Sequence, residues 1–145
     1  MLECAELKTG ETLIDLGCGD GRIVMMAAHD YGAKGYGIEL IEKLVNIANK
    51  NAVLLGLVDD VKIIRGNIFD IDLSSADVIT MYLMKNANEK VRVKLEKELK
   101  SGARIVTLNY PIANWKYNSI YKIGDEKHRY TIYLYIWKAN VVENR

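Results

Sequence analysis

Between Leu13 and Ala28 the chain reads LIDLGCGDGRIVMMAA: an apolar run holding one acid, three glycines on alternate positions, then an apolar helical pattern that starts at once. Few folds accommodate that order. Gly17, Gly19 and Gly21 carry no Cβ, so the backbone can turn sharply there and a ligand can press against the main chain. A strand, a glycine turn and a helix in succession form the first half of a β-α-β unit, with the turn at the carboxyl end of the strand.

The rest of the 145 residues repeats that alternation. TLIDL (Thr12 to Leu16) reads as a short buried strand, and GRIVMMAAHDYG as a helix with Ile23, Met26 and Ala27 inward and Gly32 as its stop. KGYGIEL (Lys34 to Leu40) is a second strand. From Glu42 to Leu55, the positions Leu44, Val45, Ile47, Ala48 and Leu55 predict a helix closed by Gly56. VKIIRG and ADVITMYL (Ala76 to Leu83) are further strands, followed by a helix in NANEKVRVKLEKELKSG. There Asn86 and Glu89 have capping-box spacing, Val91, Leu95 and Leu99 form an i, i+4 ladder, and Gly102 ends it. ARIVTLNYP is a fifth strand. NSIYKI and RYTIYLYIW, separated by the polar GDEKH, have the signature of a hairpin. The expected fold is α/β, a Rossmann-like, doubly wound, mostly parallel seven-stranded sheet with a C-terminal antiparallel hairpin, in one domain over 1–145. Ligands of such sheets bind beyond the carboxyl ends of the strands.

Composition narrows the partners. Half the residues are hydrophobic, 27% are charged and the net charge is +1. That balance lacks the electrostatic footprint of a nucleic-acid binder. Cys4 and Cys18 have no zinc or CxxC spacing, and Cys18 lies inside the glycine loop, so both are expected as free thiols in the cytoplasm. No apolar run reaches the roughly 18 residues needed to span a bilayer. His29 and His128 have no partner at ligand spacing, so no metal site is expected.

The glycine spacing chooses among cofactors. A dinucleotide loop is expected to read G-x-G-x-x-G, with a helix N-terminus aimed at a pyrophosphate. This loop reads G-x-G-x-G after Asp15, a pattern that fits S-adenosylmethionine, which brings a zwitterionic amino acid and no phosphate. Asp15 then neutralises the amino group, and loop amides receive the carboxylate. Glu39, roughly 20 residues on, suits ribose hydroxyls. Asn67 and Ile68, after the third strand, suit the adenine edge and face.

Four blocks, DLGCGDGRIV, GNIFDIDLSSADVITMYL, KLEKELKSGARIV and YTIYLY, together resemble the class I S-adenosylmethionine-dependent methyltransferases. Within that class they are similar to the small archaeal broad-specificity protein lysine methyltransferases and their mitochondrial relatives, from about Met1 to Ala139. The resemblance implies that Asp15, Gly17 and Gly19 hold the methionine moiety, with Cys18 as a small filler against it. It implies Glu39 on the ribose, Asn67 and Ile68 on the adenine, and Met81 with Tyr82 at the opening toward the methyl group. Asn109, Tyr110 and Pro111 would form the opposite wall of the acceptor channel, with Trp115 nearby. Tyr82, Tyr110 and Asn109 are thus the candidate catalytic residues. The family also carries a Pro-rich N-terminal lead that folds over the cofactor, whereas this sequence opens with MLECAEL.

The implied partners are proteins presenting lysine, with nucleic acid not expected as substrate. A lysine amine, with a pKa of about 10.4, must lose its proton before it attacks, and an aromatic, desolvated wall of Tyr82, Tyr110 and Trp115 favours the neutral form. Three alternatives stay open on the residues alone. They are a small-molecule methyltransferase, a non-catalytic S-adenosylmethionine-binding module and, more remotely, a nicotinamide dehydrogenase.

Overall fold

The computed structural model describes residues 1–139. Seven strands form one sheet in the order β3-β2-β1-β4-β5-β7-β6. β1 (Thr12–Leu16), β2 (Lys34–Glu39), β3 (Val61–Arg65), β4 (Val78–Met81) and β5 (Arg104–Leu108) are parallel neighbours. β7 (Arg129–Ile136) runs antiparallel to β5, and β6 (Ser119–Gly124) pairs with β7 on its outer side. The chain leaving β5 therefore travels to the far edge first and returns between. The α/β sheet with its antiparallel C-terminal hairpin is the one expected.

Two cores cover the sheet. On one face Leu13, Val24, Ala27, Ala52, Val106 and Ile132 pack together with Leu2, Ala5 and Leu7. This face takes α1 (Arg22–Tyr31) and α2 (Glu42–Leu54). On the other, Ile14, Leu16, Ile79 and Ile105 meet Val91 and Leu95 of α3 (Lys85–Glu98). No described helix is long and apolar enough to cross a membrane.

Several local expectations need correction. α1 buries Val24, Met25, Ala27 and Ala28, while Met26 is exposed and Ile23 only half-buried. α2 buries Val45, Ala48 and Ala52, leaving Ile47 and Leu55 exposed. In both helices the chain has more apolar residues than one stripe holds, and the small alanines win the inward positions because the helices lie close on the sheet. Gly35 shows how close: a Cβ there would meet Val24 Cβ at 2.9 Å. The capping box is absent, since α3 starts at Lys85 after Met84 with no side-chain cap, placing Asn86 inside the helix. Gly32, in the left-handed region with φ 65°, does end α1.

The N-terminal residues lie far from the glycine loop. Arg104, at the start of β5, donates to the carbonyls of Ala5 and Glu6 at 3.0 and 3.1 Å and pairs with Glu11 at 2.6 Å. Met1–Leu7 thus packs at the rim where the strands begin, and the cleft lies where they end.

Candidate active site

The strand order sets the ends of β2, β1, β4 and β5 side by side. Glu39, the Asp15–Gly21 loop, Tyr82 and Asn109 with Tyr110 therefore share one rim, spanning about 14 Å at the usual spacing of strands.

Asp15 is buried at the centre of this rim, level with Gly37 on β2 and Thr80 on β4. Thr80 Oγ1 donates to Asp15 Oδ1 at 2.7 Å. Burial pushes the Asp15 carboxyl up to about 7, the Thr80 hydrogen bond opposes it, and the charge of Glu39 raises it further. Glu39 is pinned by two main-chain donors, Gly19 N–H to Oε2 at 3.0 Å and Ile41 N–H to Oε1 at 2.9 Å. Each of its oxygens keeps a lone pair for another donor.

Most of the loop amides are already engaged, which leaves the Asp20 N–H, without a partner among the described residues, to receive a ligand carboxylate. Gly17 and Cys18 both donate to the Ile38 carbonyl at 2.9 Å, Gly21 donates to that of Cys18 at 3.0 Å, and Gly19 is taken by Glu39. The loop is stitched to β2 and so arrives already shaped. The glycines supply backbone conformation and space: φ is 78° at Gly17, 58° at Gly19 and 82° at Gly21. A Cβ on Gly19 would meet nothing within 4 Å, so that face is open for a ligand. Cys18 is buried against Gly37, and burial first, then Asp15 and Glu39, push its thiol up to about 12. It stays protonated and inert.

Beyond β3, Asn67 Oδ1 accepts the Phe69 N–H at 3.0 Å, which leaves the exposed amide NH2 of Asn67 to face a ligand. Ile68 is half-buried beside it. Met81 is a correction: it is 0% exposed, because β4 is central and covered on both faces. The surface expected of it belongs to Tyr82, 59% exposed, and Met84, 70% exposed. Asn109 has φ 64°, donates its N–H to Thr131 O at 2.7 Å and accepts the Thr131 N–H on Oδ1 at 3.0 Å. Its side-chain oxygen thus closes the β5–β7 ladder and turns the chain toward Tyr110. Trp115 is the second correction. It stacks on Trp137 with centroids 4.9 Å apart and donates to Glu96 at 2.9 Å. Trp137 hydrogen-bonds Ala103, just before β5 begins, so these rings pack away from the cleft.

Two features escaped the sequence reading. Leu40 and Ile41, immediately after Glu39, are 66% and 57% exposed; two apolar residues between a strand-end acid and a helix were the available signal. Asn88, only 1% exposed, donates from Nδ2 to the Tyr110 carbonyl at 2.8 Å while its Oδ1 is buried without a partner. It lies three residues before Val91 and seven before Leu95, a polar residue on the apolar stripe of a helix otherwise read as a solvated charge run.

Residues 15–119 match the family model of the ANTKMT methyltransferase domain. The chain belongs to that family. It is 39% identical, over 94% of its own length and 85% of the relative's, to a protein-lysine N-methyltransferase of Saccharolobus islandicus. It is 33% identical over 72% of its length to the adenine nucleotide translocase lysine N-methyltransferase of Mus musculus, of which it spans 45%. Among solved structures, an RNA methyltransferase from Salinibacter ruber with bound S-adenosyl-L-homocysteine superposes with a TM-score of 0.89. That match is 36% identical and covers 99% of this chain and 91% of that one. The protein is an S-adenosylmethionine-dependent methyltransferase.

The geometry of this methyltransferase site suits that cofactor. The charge of Glu39 raises the cost of ionising the neighbouring Asp15 carboxyl. Such a cleft repels the phosphates of a dinucleotide and attracts a ligand that carries an ammonium, a sulfonium and hydroxyl donors. The open face at Gly19 and the exposed Leu40 and Ile41 add the space and the apolar surface that a nucleoside needs.

Proposed function

We propose that the protein methylates lysine side chains of other proteins, with the acceptor amine entering between the ends of β4 and β5. The observation that carries this reading is the division of the rim. Both acids and the glycine loop cluster at β1 and β2, while β4 and β5 end in Tyr82, Met84 and Tyr110 with no carboxylate among them. One half suits a cationic cofactor, the other a neutral amine. The Saccharolobus and mouse relatives, both named as lysine methyltransferases, support the same acceptor.

In this reading Asp15 faces the cofactor's ammonium, Gly17 and Gly19 give its chain room, and Cys18 fills the space behind. Glu39 accepts from the ribose hydroxyls. Leu40 or Ile41 and Ile68 hold the adenine faces, and the Asn67 NH2 donates to its edge. When bound, S-adenosylmethionine supplies a methyl group on a positively charged sulfur that leaves as a thioether. The chain's part is alignment and exclusion of water, worth several kcal/mol of the barrier. Freeing a lysine amine of its proton at pH 7 costs roughly 4 to 5 kcal/mol in water. A wall of Tyr82 and Tyr110, which carries no carboxylate of its own, lowers that cost by disfavouring the ammonium before transfer. Asn109 and Asn88 act behind this wall, fixing the turn that presents Tyr110. The cytoplasm is our reading of the compartment, on the free thiols of Cys4 and Cys18.

An RNA acceptor is the second reading, favoured by the name of the Salinibacter structure. Incubation with methyl-labelled S-adenosylmethionine and cell lysate, followed by separation of protein, RNA and small molecules, decides. Label on protein lysines that vanishes with Glu39→Ala supports the proposal. Label confined to RNA or to metabolites overturns it.

A further inference from the structure

β6 is the outer edge of the sheet, paired only with β7. Its hydrogen-bonding parity follows from the turn and from the far side of β7. Asp125 N–H donates to His128 O just beyond the strand, and Asn109 N–H donates to Thr131 O, so Thr131 and Tyr133 face β5 while Tyr130, Ile132 and Leu134 face β6. Ser119, Tyr121 and Ile123 therefore turn their main-chain groups to β7, and Ile120, Lys122 and Gly124 turn theirs outward. The outer side is unpaired among the described residues. Native sheets protect such an edge with charges, prolines or bulges. β6 instead exposes Ile120, Tyr121 and Ile123, by 41%, 38% and 50%, with Lys122 as its one charge.

The edge also reaches the right place. Leu108, the last residue of β5, is level with Ile132, whereas Gly124 is level with Arg129. The hairpin therefore rises three residues, about 10 Å, above the rim on which the cleft opens. Asn109 clamps its base to the end of β5 through Thr131. An eighth strand against β6 would lie three strand spacings from β5, about 14 Å, which an extended chain crosses in about four residues.

We propose that β6 binds an extended segment of the protein substrate as an eighth strand, about four or five residues from the acceptor lysine; this rests on the lysine reading above. Charge selects this occupant over a second copy of the chain. Lys116, Lys122, Lys127 and Arg129 pair with no described carboxylate, against one unpaired acid, Glu126, since Asp125 is turned onto the Lys127 and His128 amides. Two such edges side by side would bring together an excess of positive charge, whereas a segment alternating apolar and acidic residues satisfies both the backbone and the lysines.

The test uses two synthetic peptides: a short one of about five residues with a central lysine, unable to reach the edge, and a long one carrying an alternating Val/Glu segment about five residues from its lysine. Fluorescence anisotropy reads binding, and mass spectrometry reads methylation. Lys122→Pro removes an outward donor without touching the β7 ladder. It is expected to weaken binding of the long peptide and raise its KM about tenfold. S-adenosylmethionine affinity and turnover of the short peptide should stay unchanged. Lys122→Glu, which keeps the backbone, should shift preference to a Val/Lys version of the long peptide. Equal effects on both peptides, or none, overturn the docking. So does a wild-type dimer that Lys122→Pro dissociates, because the edge then serves self-association. Long-peptide binding that depends on Lys122, without lysine methylation by the wild type, keeps the docking and sinks the lysine reading instead.

Discussion

Asp15 is a carboxyl held where water does not reach, and its titration links stability to ligand binding. Its folded value of about 7 lies above its ordinary 3.8. A raised folded value means that the native state holds the proton longer than the unfolded chain. Its contribution to stability is therefore full below about pH 4 and is lost as pH rises through 7. The ionised form costs the fold on the order of 4 kcal/mol at pH 8. Asp15→Asn, which still accepts from Thr80, should raise the melting temperature most at pH 8, by less at pH 5, where the unfolded carboxyl is already ionised, and little below pH 4. The same substitution should weaken S-adenosylmethionine binding about tenfold or more at pH 8, through loss of a charge-assisted contact. In the wild type, an arriving ammonium favours the carboxylate, so binding releases a proton below pH 7. Affinity should fall as pH drops from 7 to 5, and calorimetry near pH 6 in buffers of different ionisation enthalpy should detect the proton. Pairing a costly group with a ligand that relieves the cost is a common trade between stability and function.

At the scale of elements, the glycine loop depends on β2 as much as on its own sequence. Gly37 has ordinary strand geometry, yet a Cβ there would stand 2.6 Å from Cys18 Sγ and 2.9 Å from Cys18 Cβ. Gly37→Ala is expected to destabilise by about 1 to 3 kcal/mol through overpacking. It should also cost cofactor affinity, because the displaced loop carries Gly19, the donor that orients Glu39. Thermal unfolding and titration calorimetry read the two effects. Adding Cys18→Gly removes the two closest atoms, leaving only Ile63 Cδ1 at 3.0 Å to give way, and should restore most of both. No recovery would show that the loop is held by something other than this contact. The exposed β6 edge belongs to the same scale, since its meaning comes from its place beside β7 and above the cleft.

For the whole molecule, a ligand that binds only the native state stabilises by mass action, about 2.7 kcal/mol at a hundred times its dissociation constant. Saturating S-adenosylmethionine should raise the melting temperature of the wild type, and Glu39→Ala should abolish most of that shift at the same concentration. An undiminished shift would remove Glu39 from the site. Most of the architecture was legible in the chain. Strand and helix order, the parallel core and the closing hairpin follow from hydrophobic period and turn residues, which are local properties. The acid at the end of β1 and the acid at the end of β2 were legible for the same reason, because wound sheets put consecutive strand ends on one rim. What stayed hidden depends on neighbours distant in sequence. Met81 lost its expected exposure because its side chain joins the core beneath α3, and Trp115 was drawn to Trp137 at the end of β7. Asn88 gained a role through a carbonyl on another element. The amides of Gly17, Cys18 and Gly19 were claimed by Ile38 and Glu39. Short-range sterics and hydrophobic period are enough to set the elements, their order and the chemistry at the ends of β1 and β2. Which side chains face the cleft and which strand edge stays open depend on the assembled sheet, because burial, orphaned polar atoms and unpaired edges do not exist before it forms.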